Sequence, residues 1–114
     1  MKKEYQDISY EEWVDLPLGY IKLIKDEKFN LGPWWLSDSE DITWRIDGLR
    51  KRYPNRVLFP FARNDYNDDV ACWDKNQPGK VIIIMDFEGP GHELGSEFKS
   101  FDAWLDFAIH DEVG

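Results

Sequence analysis

A chain of 114 residues is long enough for one ordinary hydrophobic core and too short for two comfortable domains, so residues 1–114 are read as a single domain. Hydrophobic residues at 42% and aromatics at 16%, six of them Trp, exclude a disordered acidic chain despite the net charge of -9. That charge argues against a nucleic acid or an anionic membrane as partner, because phosphates would be repelled, and favours a basic protein.

At the N-terminus, Lys2 and Lys3 are followed by no apolar segment, so no secretory signal is expected, and nothing approaches the run of about 18 apolar residues that spans a membrane. The lone Cys72 has no intramolecular disulfide partner, which suits a reducing cytoplasm. Ser9-Tyr10-Glu11-Glu12 fits a capping box and predicts a short helix to about Asp15, interrupted by Pro17. Tyr20, Ile21, Leu23 and Ile24 then fit a helical face over residues 19–26. Adjacent Trp34 and Trp35, in an extended segment, would point to opposite sides, with Trp35 available to anchor a partner.

Ser37-Asp38-Ser39-Glu40 forms another capping box, after which Ile42, Ile46, Leu49 and Tyr53 recur as one apolar stripe. Acids in the first turn and Arg50, Lys51 and Arg52 in the last complement the helix dipole, so a helix is expected over 38–52, ended by Pro54. Strands are expected at 56–61, 70–74 and 80–86. The first two form a hairpin whose acid-rich tip carries Asp65, Asp68 and Asp69. The third, with Val81-Ile82-Ile83-Ile84-Met85 unbroken by polar residues, reads as a central strand covered on both faces. Residues 87–95, with three glycines and a proline, predict a long exposed loop bearing Glu88 and Glu93. A closing helix from Ser100 should turn Phe101, Trp104, Leu105 and Ala108 inward.

Chemistry-bearing patterns are sparse. Asp65, Asn67 and Asp69 have the alternate spacing that opens a calcium loop, but Val70 stands where the loop needs Gly and Asn76 where it needs a bidentate Glu. Cys72, His92 and His110 sit at no zinc-ligand spacing. No nucleophile elbow, phosphate-cradling glycine loop or cofactor motif occurs, so no catalytic residue, metal or cofactor is assigned and the chain is read as a non-enzyme.

Several segments together resemble the SUKH superfamily: Leu16-Pro17, the capped helix after Leu36-Ser37, Leu58-Phe59-Pro60-Phe61-Ala62 leading to Asp68-Asp69, Ala71-Cys72-Trp73-Asp74, and Phe98-Lys99-Ser100-Phe101-Asp102-Ala103-Trp104-Leu105. That superfamily includes fungal cell-wall synthesis regulators and many bacterial immunity proteins. Where its members usually show Gly-Asp at the acidic turn, this chain has Asp68-Asp69. The resemblance implies an α+β domain, its mainly antiparallel or mixed sheet of about four to six strands flanked by helices, that acts by binding proteins. The expected function is a cytoplasmic immunity protein that neutralises a basic toxin, such as a nuclease. The expected partner contacts are Asp65, Asp68, Asp69, Glu88, Glu93 and Trp35. A regulatory or scaffold domain for an endogenous protein is the alternative, with a small-molecule enzyme third. The open edges of so small a sheet also leave room for a homodimer.

Overall fold

The computed structural model describes residues 3–67, 69–85 and 93–110, and for residues 93–95 the backbone alone. Among these residues nine elements follow one another: α1 (Lys3–Gln6), α2 (Leu18–Lys25), β1 (Trp34–Leu36), α3 (Ser39–Arg52), β2 (Leu58–Asn64), β3 (Asp69–Asp74), β4 (Val81–Met85), β5 (Glu93–Phe98) and α4 (Phe101–His110). The strands form one sheet in the order β1-β2-β3-β4-β5, with every neighbouring pair antiparallel. The architecture is the expected α+β class.

Alternation along the interior strands sorts the core into two clusters, one on each face of the sheet. Ala71 and Trp73 of β3, with Val81 and Ile83 of β4, join Phe59, Phe61, Trp34, Tyr20, Phe101 and Trp104. The intervening Val70, Cys72, Ile82 and Ile84 join Leu58 and the α3 residues Leu49 and Tyr53. Thus α2 and α4 cover one face, while α3 gives Leu49 and Tyr53 to the other and Ile42, near its start, to the first cluster. The register shifts between Pro60 and Ala62, leaving Phe61 as the extra residue of a bulge. Pro60 is tolerated in this interior strand because a bulge already interrupts the ladder there.

Helix α2 begins after Pro17, whose extended backbone and missing N–H suit a helix start. It approaches α4 closely at Gly19, where a Cβ would lie 2.8 Å from Asp102 Oδ1 and 3.2 Å from the Phe101 ring. In α4, Ser100 Oγ accepts from the Ala103 amide at 3.1 Å, and Phe101, Trp104 and Ala108 turn inward as expected.

Four expectations need correction. Residues 9–15 form a turn and no helix, because their side chains are recruited elsewhere: Tyr10 packs on Phe59 and shares a hydrogen bond with Tyr20, while the Glu11 carboxylate binds Arg50 Nη2 at 2.7 and 2.8 Å. Tertiary contacts outweigh a local cap. Helix α3 is capped by Asp38, which accepts from the Asp41 amide at 2.9 Å, while Ser37 still belongs to the sheet side, its amide donating to the Phe61 carbonyl at 2.9 Å. Strand β4 is interior and buried on both faces, but β3 is the central strand. Finally, Glu93, Leu94 and Gly95 lie in edge strand β5, whose pairing with β4 overrides the local glycine signal; the rest of the expected 87–95 loop falls outside the described residues.

Candidate functional site: an acidic, aromatic surface at the start of α3

The β2–β3 hairpin and the first turns of α3 come together through Arg63. On β2, Arg63 occupies the cross-strand row that contains Trp35 of β1 and Val70 of β3, and Val70 faces α3. Its guanidinium lies between two carboxylates from separate segments: Nε is 3.2 Å from Asp65 Oδ1 in the hairpin turn, and Nη1 is 4.0 Å from Asp41 Oδ2 in α3. Asp41 is also gripped by Arg45, whose Nε reaches its two oxygens at 2.9 and 3.1 Å. Asp38, Ser39, Glu40, Asp41, Thr43, Trp44 and Arg63 line a broad, shallow hollow of about 820 Å³.

Local chemistry explains the arrangement. Acids gather at the first turn of α3 because the positive end of the helix dipole and the free amides there favour them. The hairpin turn is held by two side-chain caps: Asn64 Oδ1 accepts from the Tyr66 amide and Asn67 Oδ1 from the Asp69 amide, each at 2.8 Å. A third tie, from the Asp65 amide to the Pro33 carbonyl at 2.9 Å, fixes the turn against the approach to β1. Asp38, Glu40, Asp41 and Asp65 outnumber Arg45 and Arg63, so the surface keeps a negative excess.

Two large rings remain in the open beside these charges. Trp44 is 58% exposed and Tyr66 is 74% exposed. Arg45 lies over the Trp44 ring, its Cζ 5.4 Å from the centroid, in cation–π geometry. From α1, Tyr5 borders the region: it donates to the Leu36 carbonyl at 3.0 Å, and its hydroxyl pKa is pushed up to about 12, first by burial and then by the negative charge of Asp38.

Of the expected contacts, Asp65 and Trp35 are brought together around Arg63, with Asp65 exposed and Trp35 half-buried. Asp69 is half-buried at the start of β3, paired in register with Met85. Asp68 and Glu88 lie outside the described residues, as does the side chain of Glu93, whose backbone pairs with Ile84 at the far side of the sheet from β1. Sequence reasoning read Asp38, Glu40 and Asp41 as first-turn acids that complement the helix dipole, and passed over Trp44, Arg63 and Tyr66. One signal for Trp44 was present: it stands two residues beyond Ile42, about 200° round the helix, and therefore off the apolar stripe.

Smaller hollows occur elsewhere, among them one of about 360 Å³ between the start of α2 and the start of α4, lined in part by Leu18, Gly19, Phe101 and Asp102. Trp13, Asp15, Pro17, Trp73 and Pro78 help to line one of about 110 Å³, and Tyr5, Tyr10, Leu16, Tyr20 and Ile24 help to line an almost wholly apolar one of about 210 Å³. At the latter the Tyr10 and Tyr20 hydroxyls lie 2.8 Å apart, and burial raises both pKa values. Among the described residues, no group of three or more His, Cys, Asp or Glu side chains is placed to hold a metal ion, and no helix is long and apolar enough to cross a membrane.

No family model matches the chain, and no solved structure matches it. Two curated proteins, the methionine--tRNA ligases of Borrelia turicatae and Borrelia hermsii, are each 30% identical to it over 59 residues. That stretch is 52% of this chain but 8% of either ligase, so the likeness shows no family.

Proposed function

We propose that this chain is a non-catalytic, cytoplasmic protein-binding domain of SUKH type, an immunity protein that neutralises a basic bacterial toxin, with nucleases as the leading class. The observation that carries this reading is the convergence of Asp41 and Asp65 on Arg63 next to exposed Trp44 and Tyr66. An acidic field speeds the encounter with a cationic protein, and large exposed rings provide the anchors on which affinity depends. The net charge of -9 adds a long-range attraction of the same sign.

The test is co-purification from the native host, followed by association kinetics with the captured protein. Raising salt from low to high should slow association by roughly tenfold or more, and Asp65→Asn combined with Asp69→Asn should slow it at low salt. Association indifferent to both would refute the electrostatic reading, and a captured partner without toxicity to the host would replace immunity by regulation.

A further inference from the structure

We propose that the hollow at the start of α3 is an arginine-selective docking site, in which Trp44 receives the flat face of a guanidinium from the basic protein partner and the neighbouring carboxylates hold its N–H fork. The inference rests on the protein-binding reading above and adds to it which cation is recognised and by which residue.

Three observations lead to it. First, Trp44 is the one aromatic side chain among the described residues that line the hollow; acids alone would hold any cation, whereas an indole discriminates. Second, the chain already makes the proposed contact with itself: Arg45 lies over the Trp44 ring while its Nε binds Asp41. A guanidinium therefore fits an indole and a carboxylate together on this surface. Third, Trp44 remains 58% exposed with Arg45 in place, so the ring retains open area, and exposed Glu40 lies beside it on the same hollow.

Physical chemistry favours Arg over Lys here. The guanidinium is planar, weakly hydrated and donates through a fixed fork, so it can stack on a ring and bind a carboxylate at once; an ammonium is a strongly hydrated point charge that gains mainly from the acids. Charge complementarity selects the partner's sign, and Trp44 selects among its cations.

The test uses hexa-arginine amide and hexa-lysine amide as probes of equal charge, titrated calorimetrically into the full chain at one low salt concentration. Hexa-arginine should bind about three- to tenfold more tightly than hexa-lysine. Trp44→Ala should remove that preference while leaving hexa-lysine affinity nearly unchanged, and Trp44→Phe should keep part of it. Circular dichroism verifies that each variant is folded. Equal binding of the two peptides, or a preference that survives Trp44→Ala, overturns the docking site while leaving the acidic reading intact. Failure of both peptides to bind overturns the two together.

Discussion

The two faces of the sheet are built from different material. The face beneath α2 and α4 is packed with rings: Phe61 stacks on Trp73 at 4.3 Å, while Trp104 meets Phe61 and Trp34 edge-on at 5.0 and 5.6 Å. The α3 face is mainly aliphatic, with Leu49, Leu58, Val70, Ile82 and Ile84 around Tyr53. Rings of fixed shape fill the broad gap beneath two helices, whereas short branched chains suffice beneath one. The consequence for function is that the aromatic wealth of the chain mostly serves its core. The exposed rings beside the acids, Trp44 and Tyr66, stand out because so many others are hidden.

If the aromatic face bears most of the stability, its central ring should be the costliest to remove. Trp104 is fully buried and touches Trp34, Phe61 and Phe101, so Trp104→Ala should destabilise by about 4 kcal/mol in urea unfolding, close to the margin of a domain this small. On the other face, Leu49→Ala should cost about 3 kcal/mol, from a smaller volume deleted beneath a helix whose neighbours can partly collapse into the space. Equal losses, or a larger one at Leu49, would break the comparison.

Alkali should weaken the aromatic side. In an unfolded chain tyrosine ionises near pH 10, whereas folded Tyr5 does so at about 12, and Tyr10 and Tyr20 are also raised, in each case chiefly by burial. Between those limits the unfolded state binds fewer protons than the folded one, so stability falls as pH rises. The contribution of Tyr5 is complete below pH 10 and lost as pH climbs through 12. Urea midpoints measured from pH 8 to 12 should stay level and then decline, and Tyr5→Phe should make the decline shallower.

The elements legible beforehand were those whose signals lie within one segment. The stripe Ile42, Ile46, Leu49 and Tyr53 marked α3, and the unbroken Val81 to Met85 marked a strand buried on both faces. What could not be read depended on partners distant in the chain. The Glu11 bond to Arg50 that accompanies the turn at 9–15 spans 39 positions, and β5 forms by pairing with β4 despite its glycine. The candidate surface divides in the same way: the acidic hairpin turn was visible, but the approach of α3 to it through Arg63 is a product of tertiary packing. Trp35 is half-buried against the cluster that holds Trp34, and its position opposite Arg63 follows from register alone.

The smallest effects separate structure from recognition at the α3 surface. Asp38→Ala removes the bond to the Asp41 amide and should cost about 1 kcal/mol, whereas Asp38→Asn keeps an acceptor at the cap and should change stability by only a few tenths. The charge is lost in both. If Asp38 also contributes to holding a cation in the hollow, both variants should weaken hexa-arginine binding alike despite their different stabilities. Trp44→Ala completes the contrast: at 58% exposure its removal should shift the unfolding free energy by less than about 0.5 kcal/mol, while abolishing the arginine preference. A stability loss at Trp44 as large as that at Leu49 would mean that the ring supports α3, and Trp44→Ala would then no longer separate recognition from stability.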